Sequence, residues 1–154
     1  MNPTSTKHLL IVYHSQSGRN ERLAYAARAA AILELDVRLL RAAEAGTRDI
    51  EWCDGVLLFL PENFAALAGG VKEFFDRIFY PVIERQLIRP YGVFMACGND
   101  GSASLVQLAK ITRGCGWQPV TEAIVCHGEP GEAGFEQAQE LGEAFATGLI
   151  LGMF

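Results

Sequence analysis

Three runs of the chain are apolar without alternation: Leu9-Leu10-Ile11-Val12-Tyr13, Gly55-Val56-Leu57-Leu58-Phe59-Leu60 and Tyr91-Gly92-Val93-Phe94-Met95-Ala96-Cys97. A strand with one wet face alternates apolar and polar residues, so runs of this kind need cover on both faces, as in a parallel sheet packed between helices. Helical patterns fall between them. Asn20 to Ala31 places Leu23, Ala26, Ala27 and Ala30 on one face. From Ala66 to Phe79 the stripe is Val71, Phe74, Phe75, Ile78 and Phe79, with Tyr80-Pro81 expected to close the helix. Ser102 to Arg113 and Glu132 to about Thr147 are two more helices, the last turning Phe135, Ala138, Leu141 and Phe145 inward. Asp36 to Arg41 reads as an edge strand, and Val120 to Cys126 as the last strand. Ala42 to Asp54 reads as a connection with a short helical turn.

Strands alternating with helices at this spacing give βαβ units, hence an α/β three-layer sandwich with a five-stranded parallel sheet and helices on both faces. In such a sheet ligands bind beyond the carboxyl ends of the strands, where strand order reverses. With the order 2-1-3-4-5, three loops meet at that point: Ser15 to Asn20, Pro61 to Phe64 and Gly98 to Gly101. They are the most turn-rich, polar loops of the chain.

The first loop, Ser15-Gln16-Ser17-Gly18-Arg19-Asn20, joins a strand to a helix, where backbone N–H groups and the helix dipole favour an anion. Hydroxyls, amides and a cation add donors, and Gly18 permits close backbone approach. It reads as a site for a phosphate monoester, or as an ordinary Ser/Asn-capped turn. One Gly and no Lys match neither the dinucleotide fingerprint nor the nucleotide-triphosphate loop. The second loop, Pro61-Glu62-Asn63-Phe64, offers an aromatic face and mixed polar groups. The third, Gly98-Asn99-Asp100-Gly101, offers backbone donors, since Gly, Asn and Asp accept left-handed angles. A long, flat, phosphorylated molecule suits all three. Gly69-Gly70 costs helix propensity and implies a close contact against the backbone there.

The bulk numbers narrow the class. A chain of 154 residues is one domain, 1–154, large enough to bury about two thirds of its unfolded surface. A net charge of −5 argues against nonspecific nucleic-acid binding, and no run reaches the length of a membrane span. Met-Asn-Pro-Thr-Ser-Thr-Lys lacks the apolar core of a signal peptide, so a cytoplasmic location is expected. Cys53, Cys97, Cys115 and Cys126 have no C-x-x-C spacing and no neighbouring His pair, which reads as free thiols rather than a metal site. Trp117 is expected to cover a sheet edge. The apolar tail Leu149 to Phe154 is expected either to form a homodimer contact or to fold back on its own domain.

Ser15-x-Ser17-Gly18-x-Asn20 after Leu10-Ile11-Val12-Tyr13 resembles the flavodoxin phosphate loop. Pro61-Glu62-Asn63-Phe64, followed by Gly69-Gly70-Val71-Lys72-x-Phe74-x-Asp76-Arg77-x-Phe79-Tyr80-Pro81, resembles the flavodoxin-like NAD(P)H-dependent reductases. Gly98-Asn99-Asp100-Gly101 is similar to their third loop. The resemblance runs from about His8 to Thr147. It implies a flavodoxin-like fold and bound FMN, with the phosphate on Ser15, Gln16, Ser17, Gly18, Arg19 and Asn20. The isoalloxazine ring would lie between Pro61, Glu62, Asn63 and Phe64 on one side and Gly98, Asn99, Asp100 and Gly101 on the other. The cofactor would carry the electrons, so no side chain is expected as catalytic acid or nucleophile. Backbone N–H groups near the ring would favour its reduced anion, and the Asp100 carboxylate would oppose it.

The activity so implied is transfer of hydride or electrons from NAD(P)H to a small acceptor such as a quinone. The alternatives are a flavodoxin-type one-electron carrier and a non-catalytic module holding another phosphorylated ligand. A third loop without an aromatic and a charge of only −5 favour the reductase, since an acidic carrier docks on basic partners.

Overall fold

A computed structural model describes residues 6–154, so most of the amino-terminal stretch read above for export lies outside the described residues. Its elements are β1 (His8–Tyr13), α1 (Arg19–Ala31), β2 (Asp36–Arg41), α2 (Thr47–Trp52), β3 (Gly55–Leu60), β4 (Glu62–Asn63), β5 (Ala66–Leu67), α3 (Gly69–Glu84), β6 (Pro90–Cys97), α4 (Ser102–Gly114), β7 (Gln118–Pro119), β8 (Ile124–His127) and α5 (Gly131–Ile150).

The main sheet is parallel and runs β2-β1-β3-β6, with the place beyond β6 shared by two short strands. β7 pairs with the start of β6 and β8 with its end, so the last strand expected as one piece is split around residues 120–123. This is the 2-1-3-4-5 order, giving a flavodoxin-like three-layer fold. β1, β3 and β6 carry the three continuous apolar runs, and nearly every residue in them is buried. β2 alternates between exposed and half-buried positions, as its edge place requires.

The pleat sends each strand's side chains into two cores. Leu10, Val12, Leu58 and Met95 face α3, where they meet Val71, Phe74, Phe75 and Ile78. Leu9, Ile11, Phe59 and Phe94 face α1 and α5, meeting Leu23, Ala27, Leu141 and Phe145. Cys97 lies in the first core, whereas Cys126 packs on the second; β8 sets Cys126 beside Ala96, one register position from Cys97. Between α1 and α5 the backbones almost touch: a Cβ on Gly142 would stand 2.3 Å from the Ala27 carbonyl oxygen.

Four expectations are corrected. The fully buried apolar residues of α1 are Leu23, Ala24, Ala27 and Ala31; of the other two expected, Ala26 packs partly buried against the same core and Ala30 is only half-buried. Tyr80-Pro81 does not close α3, which runs on through Pro81 to Glu84. Burying Val82 completes its apolar stripe and outweighs the lost backbone donor. Ala66 does not open the helix but belongs to β5, which pairs antiparallel with β4. Trp117 is not edge cover: it is 2% exposed, and its Nε1–H donates to the Leu87 carbonyl at 3.1 Å. The tail folds back, with the Phe154 ring 5.2 Å from that of Phe145 and lying over Gly148.

Candidate functional site

Parallel strands put the loops after β1, β3 and β6 on one rim, and hydrogen bonds tie these loops to one another. Asn63 Nδ2 donates to Gln16 Oε1 at 2.7 Å, joining the second loop to the first. The Ser104 backbone N–H, in the first turn of α4, donates to Glu62 Oε2 at 3.1 Å, joining the second loop to the helix that follows the third. Glu62 thereby does for α4 what a capping side chain does, satisfying an orphan donor with a carboxylate that suits the positive helix end. The Ser104 hydroxyl beside that bond is buried with no partner among the described residues.

The first loop is open. Gly18 adopts φ +88°, with nothing within 4 Å of where a Cβ would stand, and its N–H donates to Ser15 Oγ at 2.9 Å. The backbone N–H groups of Ser15, Gln16 and Ser17 have no acceptor among the described residues. In the third loop those of Gly98 and Gly101 likewise have no acceptor among the described residues. Unengaged donors in two loops are what a phosphate and a ring edge rich in carbonyls require, so the residues present fit FMN.

Two residues of the first loop point elsewhere. Asn20, at 2% exposure, is locked to β6: its Nδ2 donates to the Ala96 carbonyl at 3.1 Å and its Oδ1 accepts the Ala96 N–H at 3.0 Å. Its side chain staples loop to sheet and is not free for a ligand. The Arg19 Nε donates to Glu129 Oε1 at 2.9 Å, so this guanidinium turns toward the loop after β8.

The second loop is a two-residue hairpin turn whose central residues, Phe64 and Ala65, have φ of 53° and 56°. Positive φ at both positions is the conformation for which hairpins prefer Asn-Gly, and it is strained in Phe-Ala. It leaves the Phe64 ring wholly exposed at the rim. Pro61, buried at the end of β3, starts the loop. In the third loop Asp100 Oδ1 accepts from the Ser102 N–H at 3.0 Å and from its hydroxyl at 2.8 Å. Those two bonds hold the Asp100 carboxyl below the usual carboxylate range.

Sequence reasoning did not assign three further features of this rim. The His14 ring lies on the backbone of α3: a Cβ on Gly70 would stand 2.6 Å from its Cε1 and Nδ1, which accounts for the close contact implied by Gly69-Gly70. Burial lowers the His14 pKa from its ordinary value of 6.5. Burial, and then the Glu62 carboxylate, raise the Cys97 thiol; its Sγ–H donates to the Asn99 carbonyl at 3.1 Å. Glu129 takes part from a loop that the sequence marks only by its turn residues, His127-Gly128-Glu129-Pro130-Gly131.

Comparison with known proteins bears on the fold and the family. No curated protein matches the sequence. Among solved structures the chain is similar to a flavodoxin from the domain Archaea, at 16% identity and a TM-score of 0.79, covering 92% of this chain and 98% of that one. It is similar to a WrbA-like flavodoxin from Agrobacterium tumefaciens at 18% identity and TM-score 0.77, covering 92% and 96%. The rubredoxin:oxygen oxidoreductase of Desulfovibrio gigas matches at 19% identity and TM-score 0.79 over 92% of this chain, which spans only 36% of that protein. These likenesses establish the flavodoxin fold. A family model described as NADPH-dependent FMN reductase matches residues 35–129, which include the second and third loops and Glu129. The chain therefore belongs to the NADPH-dependent FMN reductase family, a family of flavoproteins whose cofactor is FMN.

Proposed function

We propose that this protein holds FMN at the rim of its sheet and passes reducing equivalents from NAD(P)H to a small acceptor such as a quinone. Family membership supports the chemistry, and one observation supports the location: backbone N–H groups without acceptors in the first and third loops share a rim with the exposed Phe64 of the second. When bound, FMN would supply the redox chemistry, taking the two electrons of a hydride and passing both on, singly or together. The chain's own residues bind and orient. The N–H groups of Ser15, Gln16 and Ser17, with Gly18 giving close approach, would hold the phosphate, and Ser15 Oγ keeps the loop in shape. Pro61, Glu62, Asn63 and Phe64 would form one wall, braced by Gln16 and Ser104, with the Phe64 ring available for stacking. Gly98, Asn99, Asp100 and Gly101 would present donors to the ring's polar edge.

Two features favour a reductase over a one-electron carrier: the third loop has no aromatic to close over the ring, and the charge is a mild −5. The test is purification, a visible spectrum and reconstitution with FMN, followed by steady-state oxidation of NADH and NADPH with a quinone panel. The expected result is a yellow protein with acceptor-dependent turnover. A reconstituted yellow protein that oxidises neither nicotinamide is a carrier. One that takes up no FMN overturns the proposal.

A further inference from the structure

We infer that Glu129 sets how strongly this protein discriminates phosphorylated from unphosphorylated flavin, by occupying the two guanidinium groups at the phosphate loop. The inference rests on the phosphate-loop reading above. Arg19 is the cation within that loop, yet its Nε donates to Glu129 Oε1 at 2.9 Å. Arg22, one helical turn further along α1, donates from Nη2 to Glu129 Oε2 at 3.1 Å and from Nε to the Gly18 carbonyl at 3.3 Å. One carboxylate therefore engages both cations nearest the loop.

Its position is built rather than casual. Glu129 follows Gly128, which takes φ +67° and whose N–H donates to the Cys97 carbonyl at 2.9 Å. That bond ties the base of the loop to the end of β6, and Pro130 then stands at the cap of α5. Glu129 is thereby delivered beside the first loop from the far end of the chain. The two arginines hold its carboxyl below the usual range, so it is ionised at neutral pH.

A carboxylate and a phosphate compete for the same guanidinium donors. A phosphate entering the loop either displaces Glu129 from Arg19 or binds beside a like charge. Both routes weaken the hold on the phosphate and leave the ring's contacts untouched. Glu129 is 66% exposed in its side chain and packs in neither core, so replacing it leaves the fold intact.

The test titrates the full-length apoprotein with FMN and, separately, with riboflavin, following flavin fluorescence, for the wild type and for Glu129→Gln and Glu129→Ala. Removing one like charge beside a phosphate at a partly exposed site is expected to tighten FMN by about tenfold at low salt. Riboflavin should change by less than about twofold. The FMN gain should shrink at about 1 M salt, where charges are screened within roughly 3 Å. Adding Arg19→Gln to Glu129→Gln should remove most of it. Should both variants bind FMN as the wild type does, or more weakly, the inference is overturned; the weaker result would mean that Glu129 aims the arginines at the phosphate. Riboflavin bound as tightly as FMN by the wild type and by both variants overturns the phosphate-loop reading, and this inference with it. A wild type that prefers FMN by the same factor as both variants leaves that reading standing and sinks the inference alone.

Discussion

Asn20 stands in the first turn of α1 with both polar atoms of its amide bonded to the Ala96 backbone. Truncation to Ala would leave a buried N–H and a buried carbonyl unpaired, at about 1–3 kcal/mol each before relaxation. Asn20→Ala should therefore lose roughly 2–3 kcal/mol of stability in urea unfolding. His14 makes a different prediction, one about pH. Its folded pKa lies below the ordinary 6.5, so the unfolded chain binds the proton more readily. The stabilisation from keeping His14 neutral is thus fully present above pH 6.5 and is lost as pH falls from there through the folded value. His14→Gln should flatten that acid-side loss, measured as the unfolding midpoint between pH 7.5 and 5. Neither role was legible in the letters. Asn20 looked like one more donor for an anion, and only the pairing of β1 with β3 and of β3 with β6 brings Ala96 within its reach.

The β4–β5 hairpin shows where reading by element falls short. Ala66 and Leu67 sit next to a strong helical stripe, and nothing local separates two strand residues from a helix start. Pairing with Glu62 and Asn63 makes the difference, and a two-residue turn with an uncommon sequence carries the strain. Ala65→Gly relieves a φ of 56° and should raise the stability of the ligand-free protein by about 0.5–1 kcal/mol, visible as a higher thermal midpoint. α3 failed in the opposite sense. Proline is a stop signal by its own chemistry, but burial of Val82 one residue later pulled the helix through it.

Long-range order was nonetheless easier to read than local detail. The three unbroken apolar runs could only be central strands of a covered parallel sheet, and the connections between them left few topologies. The rim where the loops gather followed from that order, without knowledge of any side-chain contact. The close packing of layers was not readable, because it depends on the meeting of residues far apart in the chain. Gly142 against Ala27 is the clearest case. A methyl group there has backbone in its way, so Gly142→Ala should push α5 off α1 and cost about 2–3 kcal/mol or more, measurable by denaturant titration. At the rim the His14 ring plays a comparable part, filling the space above Gly70 where other helices carry a methyl. It works as a shim. The thickness of one imidazole sets the gauge between the turn after β1 and the start of α3, so a smaller side chain at position 14 would let the two settle closer together.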